Sequence, residues 1–471
     1  MKIMFRKVTL LPVIVAVVFV FPGAGTAQEV SVDDTLHLTL DKALEIALSE
    51  NPLIKVADKE IEKVDYSRKE AWAGLIPSIS AEGSYSRNVK KPVLFLSEDM
   101  AGGLGGGSST IEIGSDNSYS AAISAAMPLF NMSLFKSIQM TDVEMKSALE
   151  SARQSRINMI NEVKKAYYNC LLANDSYNVM FRSLQNAREN YENIRRMFDQ
   201  GAAAEYDVIR SEVQVRNLEP SLTEAKNGRK VSALMLKILL GIDSDIPLGF
   251  DENLEAFKEL IEGMPSAPDQ DLSNNSDIRQ LDIQKLQLDK QFELTRAQRF
   301  PTLSAFINYQ FQTQANHFRF DDYQWATPIV AGLQLQIPIF SGFSKRYQEK
   351  QVEVSMEQLK YQRENVERQV SVSVLNAYSS MEAAAQKIES ARVAVRQAGR
   401  GYEISQARYQ TGAGTLLELN DAEVALTQAR LNLNQARFDF LTARAEYEKT
   451  LGTNLPEFAE LPGSSEETGM E

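Results

Sequence analysis

The sequence predicts a mainly α-helical chain that also supplies strands to a membrane β-barrel, and three observations predict it. The chain is an internal duplication. Each copy holds two segments that alternate apolar with small or polar residues over roughly ten positions, the length and period of a barrel strand. Each copy also holds a helix-like stretch of nearly 70 residues with heptad spacing, about 100 Å at 1.5 Å per residue.

The duplication is visible as an ordered set of matches. GLIPSISAEGSYS (Gly74 to Ser86) corresponds to RFPTLSAFINYQ (Arg299 to Gln310), and MPLFNMSLFKS (Met127 to Ser137) to IPIFSGFSK (Ile337 to Lys345). KKAYYNCLLA (Lys164 to Ala173) corresponds to LNAYSSMEAA (Leu375 to Ala384), and LLGI (Leu239 to Ile242) to TLGT (Thr450 to Thr453). Each half reads helix, strand, loop, strand, very long helix, tight turn, helix. A repeat of about 180 to 190 residues is too long for a solenoid unit.

In the first strand Ile79, Ala81, Gly83 and Tyr85 alternate with Ser78, Ser80, Glu82 and Ser84. The second sets Tyr119, Ala121, Ile123, Ala125 and Met127 against mainly serine; the third sets Leu303, Ala305, Ile307, Tyr309 and Phe311 against Thr302, Ser304, Phe306, Asn308 and Gln310. The fourth sets Ile329, Ala331, Leu333, Leu335 and Ile337 against Val330, Gly332, Gln334 and Gln336. A soluble sheet with one wet face satisfies the same pattern. The N-terminus favours the barrel. Lys2, Arg6 and Lys7 precede an apolar run from Thr9 to Phe21, and small residues end at Ala27, which predicts a cleaved export signal at residues 1–27. The other apolar runs, such as Ala233 to Ile242 with Lys237 inside it, are too short to span a bilayer as helices. Four strands cannot close a barrel, and lipid does not tolerate an open edge, so several copies must share one sheet. The loop AGGLGGGSST (Ala101 to Thr110) lacks GK[ST] and reads as an exposed loop rather than a phosphate cradle.

The long helices are expected at Asn131 to Phe198 and Phe343 to Tyr409, and shorter ones at Pro52 to Ala73, Glu205 to Leu240, Ser276 to Gln298 and Leu416 to Thr450. Paired end to end, the shorter helices nearly match their long neighbours, giving four columns of similar height. Val374, Met381, Ile388, Val395, Tyr402 and Tyr409 recur every seven residues. The last helix alternates Ala422, Leu426, Ala429, Leu433, Ala436, Phe440, Ala443 and Tyr447, a pattern for knobs-into-holes packing. Pro220 is expected to bend its helix.

Composition excludes other classes. The chain has 471 residues and a formal charge of −13, and loss of the three basic leader residues leaves it near −16. An acidic chain with no basic stripe is a poor partner for nucleic acid. Two histidines (His37 and His317), one cysteine (Cys170, on an apolar stripe) and no clustered ligands argue against an enzyme, a cofactor or a structural metal. A rival reading is a trimeric surface adhesin or stalk with a β-barrel anchor. Such proteins place their strands in one C-terminal block, whereas here two hairpins are split between the halves.

The layout resembles the TolC-type outer membrane efflux proteins. The likeness covers nearly the whole mature chain and rests on the duplication, the strand starts LIPSIS and RFPTLS, the joints MPLF and IPIF, and RYQTGAGTLLELNDAEVALTQARLNL (Arg408 to Leu433). The resemblance implies a homotrimer with a 12-stranded barrel in outer membrane lipid above a 12-helix periplasmic α-barrel. It implies a passive exit duct for efflux or type I secretion. The duct would work with a periplasmic adaptor (membrane fusion protein) and an inner-membrane pump of the RND, ABC or MFS class. The chain then divides into a first repeat at 28–242, an equatorial connector at 243–275, a second repeat at 276–453 and a disordered tail at 454–471.

The tip of the helices carries the candidate site. Gly412 and Gly414 let the chain reverse, and Thr415 with Glu418 fits a capping box. Capping accounts for Glu418 in part; it leaves out Asp421, three residues on, which is otherwise a solvated acid. In a trimer Glu418 and Asp421 would set six carboxylates round one axis, a ring that favours cations. By resemblance these two match the acids that constrict the periplasmic entrance, where they would bind cation blockers. Asp207 and Tyr409 match positions that hold neighbouring helix pairs shut; the family often has a base where this chain has Gly414, which leaves a hydrogen bond as the latch. Tyr409 is otherwise the last large residue of its heptad stripe. The turns at Gly201 and Ala202, and at Gly412, Gly414 and Thr415, would meet the adaptor.

Overall fold

The computed structural model describes residues 35–95 and 110–456. The export signal, loop residues 101–109 and the tail from 457 onward lie outside the described residues.

Two long helices, α3 (Met132–Asp199) and α7 (Ser344–Gln410), set the height of the molecule. Each starts one residue later than expected. Asn131 instead caps α3, its side chain accepting the Leu134 N–H at 3.2 Å. The counterpart joint is built differently: Gly342 and Phe343 both take the left-handed conformation, and α7 begins with no side-chain cap. The shorter helices are α2 (Pro52–Ala73), α4 (Glu205–Leu240), α6 (Ser276–Ala297) and α8 (Leu416–Leu451). Both α2 and α4 pack on α3, while α6 and α8 pack between α3 and α7. The four expected columns are therefore α2 over α4, α3, α6 over α8, and α7. Helix α4 runs without interruption through Pro220.

One device joins the short helices in both halves. Asn51 precedes α2; its side-chain oxygen accepts the Leu53 N–H (2.8 Å) and its amide donates to the Leu239 carbonyl at the end of α4 (2.7 Å). Asn275 does the same between α6 and α8, accepting from Asp277 and Ile278 and donating to the Thr450 carbonyl at 2.7 Å. Gly241 (φ 69°) and Gly452 (φ 73°) end the lower helices in the left-handed conformation. A Cβ on Gly452 would lie 2.0 Å from the Asn274 carbonyl oxygen, so nothing larger than glycine fits that approach.

The same Asn51 separates α2 from an additional helix, α1 (Leu40–Glu50), because Pro52 disfavours helical geometry in the residue before it. Around it gathers the main core. Strand β1 (Leu36–Leu38) pairs in parallel with Leu248–Phe250 of the connector, and a short helix, α5 (Lys258–Glu262), lies on α8. Leu38, Leu44, Ile160, Tyr167, Leu171, Leu236, Leu254, Met381 and Phe440 are buried here together. The Tyr167 hydroxyl donates to Glu252 (2.7 Å), with the Leu38 carbonyl 3.1 Å away. Cys170 is buried in this core, and burial raises its thiol to about 12, so it packs as a small apolar group.

The four alternating strands form one antiparallel sheet. They are β2 (Ser78–Arg87), β5 (Asn117–Asn131), β7 (Thr302–Ala315) and β8 (Ile329–Gln336), in that order; β3 (Val93–Phe95) and β4 (Thr110–Glu112) pair separately between β2 and β5 in the chain, and the connector strand is β6. The register aligns the alternation across all four strands. Ile79, Ala125, Ile307 and Ala331 share one row, and Ala81, Ile123, Tyr309 and Ile329 the next. On the opposite face run Ser80, Ser124, Asn308 and Val330, with hydroxyl contacts Ser84–Ser120 (2.7 Å) and Ser124–Asn308 (3.2 Å). The apolar face lies bare: Ile79 is 75% and Leu333 67% exposed. Aromatic residues mark both ends. Tyr85, Tyr119, Phe320 and Tyr323 stack at the far end, and Phe130, Phe300, Phe340 and Phe343 stand exposed at the helical end.

Candidate functional site

The two hairpin tips reverse by the same geometry. After α3, Gly201 (φ 73°) lets the Ala202 N–H reach back to the Met197 carbonyl at 2.7 Å. After α7, Gly412 (φ 72°) lets the Ala413 N–H reach the Arg408 carbonyl at 2.8 Å. Each is a helix C-terminus closed by a left-handed glycine. The helices that follow begin differently. Thr415 caps α8: the Glu418 N–H donates to its hydroxyl (3.3 Å), and the Glu418 carboxylate accepts the Thr415 N–H (3.1 Å). Ala204 has no side chain to cap α4, whose first turn instead carries Glu205 and Asp207 near its positive dipole end.

The acids predicted to constrict the tip have unequal freedom. Glu418 is held by the capping box and lies 3.7 Å from the Arg408 guanidinium, which also donates to the Ala413 carbonyl. A Cβ on Gly414 would sit 3.0 Å from Arg408 Cβ and 3.2 Å from Glu418. Arg408 thus brings a guanidinium to the Gly414 turn from six residues earlier in the chain. Asp421 is exposed and has no hydrogen bond or ion pair among the described residues. It is the freer charge. Among the described residues no group of three metal-ligating side chains comes together, so a cation site here needs acids from further copies.

Asp207 and Tyr409 are brought to the same end without a hydrogen bond. Partial burial raises the Tyr409 hydroxyl above its ordinary value, and the Asp207 charge adds to the effect. Tyr409 faces a cavity of about 480 Å³ between the hairpins, lined also by Asn190, Asn193, Arg196, Gln406 and Leu419.

Sequence reasoning passed over Glu423. It is 3% exposed, on α8 between α3 and α7, and neither carboxylate oxygen has a hydrogen-bond partner. Burial raises it from 4.5 to about 7, opposed by the nearby Asn186 amide. Tyr402 of α7 and Asn190 of α3 belong to the same polar layer. One turn higher on the two helices, the Thr427 hydroxyl meets Ser183 at 3.3 Å. The signal was there: Leu416, Leu419, Glu423 and Leu426 are all buried on one stripe, and an acid in an apolar heptad position marks a special environment.

Comparison with known proteins places this architecture. The family model described as outer membrane efflux protein matches residues 43–242 and 267–453, one match in each half. The chain is 23% identical over 424 residues to the alkaline protease secretion protein AprF of Pseudomonas aeruginosa, covering 88% of this chain and 84% of that protein. It is 24% identical over 351 residues to the outer membrane protein TolC of Escherichia coli, covering 72% and 70%. Among solved structures it resembles CusC, with a TM-score of 0.67 at 17% identity, covering 88% of this chain and 92% of that one. The CmeC outer membrane channel of Campylobacter jejuni gives a TM-score of 0.66 at 17% identity, with 88% and 86% covered.

Proposed function

The chain belongs to the outer membrane efflux protein family, and from that premise we infer that it is the outer-membrane exit duct of an efflux or type I secretion system. One observation carries the reading. The sheet ends in two unpaired edges, β2 and β8, which run antiparallel to one another, and its bare apolar face continues to both. Such a sheet is stable in lipid only when closed by further copies.

The helical layer has matching edges. Above the belt Leu53, Val56, Tyr66 and Trp72 are exposed along α2 and Tyr347, Val354 and Tyr361 along α7; below it Tyr206, Ile209, Val213, Val231, Met235 and Ile238 are exposed along α4, and Val393 and Ile404 along α7. Seating one edge on the other extends both layers in the same direction and buries both stripes. Two copies would give eight strands, whose interior side chains fill. Three copies give twelve, spaced about 4.8 Å apart and tilted by about 40°, a ring roughly 24 Å across. The serine and asparagine face lines that bore; the apolar face and its two aromatic girdles meet lipid. The belt around β1, β6 and α5 covers one face of the helical layer and leaves the other to continue the bore.

The tips form the periplasmic end, where an adaptor and an inner-membrane pump would dock. Relatives such as AprF, by name a protease secretion protein, support a secretion role, and the efflux pump component TtgC of Pseudomonas putida supports efflux. The acids at 418 and 421 make the entrance cation-selective. Tyr409 and Asp207 hold it shut when the hairpins close the cavity between them. Planar-bilayer recording of the purified protein tests both levels. Stable, cation-selective conductance is expected, and Tyr409→Phe should raise it. No conductance from a protein of trimeric mass defeats the duct, whereas an unchanged Tyr409→Phe defeats only the latch.

A further inference from the structure

Below the belt, α3, α7, α8 and the belt loop line an open cleft of about 580 Å³. Five arginines line it: Arg182 on α3, Arg392 and Arg396 on α7, Arg430 and Arg437 on α8. Two acids face them, Asp175 and Glu255. Asp175 is engaged by the Leu254 N–H (3.3 Å), and Glu255 lies 3.6 Å from Arg437. Arg182, Arg396 and Arg430 have no hydrogen bond or ion pair among the described residues. Asn434, only 8% exposed, also lines the cavity and has no hydrogen-bond partner among the described residues.

This arrangement is costly as it stands. Like charges in one concavity repel, and the effect is strongest at the buried Arg437, whereas Arg182 and Arg396 are exposed to water. The chain has 63 acids against 50 bases, so counter-charges were available to it, yet three guanidiniums here have none. The duct reading does not supply them either. The Arg229 guanidinium of α4 lies 4.4 Å over the Tyr177 ring, which puts the basic run Lys226, Arg229 and Lys230 at the height of this cavity. In the closed ring that stretch of α4 faces a neighbour's α7, so the next copy brings further cations. The ring argument rests on the proposed assembly; the cavity itself lies within one chain.

We propose that this cavity binds a small multivalent oxyanion, a di- or tricarboxylate or an oligophosphate, clamped between the α7 and α8 arginines. The planar guanidinium fork matches both oxyanion chemistries bidentately, and the volume falls in the range of small-ligand sites.

Isothermal titration of the intact detergent-solubilised protein at low salt, with citrate and with pyrophosphate as probes, tests this. Expected is saturable binding of at least one probe, one site per chain, weakening as sodium chloride is added; the tighter probe tells carboxylate from phosphate recognition. Arg396→Gln and Arg430→Gln should each weaken binding about tenfold, the effect of losing a charge-assisted hydrogen bond. Glu255→Gln should tighten it, because it removes an acid that competes with the ligand. Bilayer conductance of every variant, recorded in parallel, shows whether the duct has assembled, so failure of the site and failure of the duct are separate results. If an arginine variant does not assemble, Glu255→Gln still decides. Absence of saturable heat with either probe, or an affinity unmoved by Glu255→Gln and by the arginine variants that assemble, overturns the proposal.

Discussion

Replacing Glu423 by glutamine should remove a pH dependence of stability that its buried carboxyl supplies. The carboxyl is 3% exposed with both oxygens unpartnered, and burial raises it from 4.5 to about 7. Asn186 of α3 faces it, and its charge is felt by Tyr402 of α7, which in turn meets Asn190 and Glu189 of α3 and Arg430 of α8. Because the folded value exceeds the unfolded one, the folded chain holds the proton more tightly. The associated stability is fully present below pH 4.5, falls as pH rises, and is gone above about 7. At 1.36 kcal/mol for each pH unit, the window amounts to roughly 3 kcal/mol per chain. Glutamine keeps the shape and does not titrate. Guanidinium unfolding of the solubilised protein, followed by helical circular dichroism from pH 4.5 to 8.5, would measure it. Subtracting wild type from Glu423→Gln cancels the other titrating groups, and the variant should gain on wild type by about 3 kcal/mol across the range. A difference that stays flat with pH would falsify the buried, unpaired state of this carboxyl.

Asp421→Ala should reduce block by trivalent cations in bilayer recordings without loss of stability. Glu418→Gln should reduce it while keeping the capping box, and Glu418→Ala should also cost about 1 kcal/mol of tip stability. Leu333→Arg places a charge on the bare face in the row of Met127 and Ala305; a cost of about 2–4 kcal/mol at the bilayer midplane should lower the amount recovered folded in the outer membrane fraction. Equal recovery of that variant would mean the face does not meet lipid. Asn275→Ala removes a helix cap and a buried bond to Thr450, and should cost about 2 kcal/mol. Gly452→Ala should cost more, since its Cβ would overlap the Asn274 carbonyl; thermal unfolding ranks the two.

Features with a short period were legible in the sequence. Strand alternation needs only a count of two, and Ile79, Ile123, Ile307 and Leu333 all fall on the face it assigns them. The capping box is a contact three residues long, and Thr415 and Glu418 make both of its bonds. Pairings across hundreds of residues were not legible. Strand β1 is three residues long and finds its partner at Leu248–Phe250; no period marks so short an element. The break at Asn51 was hidden because α1 and α2 are both helical, and only the proline after it signals the join. Arg408 was passed over for a related reason. A sequence comparison asks what stands at 414, whereas the fold brings a guanidinium there from six residues earlier.

The two halves also show which parts of the duplication are bound by geometry. Equal columns require two short helices to stack end to end beside each long one. The solution is identical in both: an asparagine serving the helix above and the carbonyl below, and a left-handed glycine ending the lower helix. No such demand acts at the tips, and there the halves part. Both turn on a glycine of the same conformation, but one leads into an uncapped helix bearing Glu205 and Asp207, the other into a capped one bearing Glu418 and Asp421. In a ring of three the two kinds of turn alternate. The fixed turn would then present Glu418 and Asp421 in threefold register, while the uncapped turn carries the acid beside Tyr409. Rigid placement suits a charge that must sit on an axis; a helix start without a cap suits an element that has to move past its neighbour. On the proposed function, the divergence of the repeats follows the division between selecting and closing at one end of the duct.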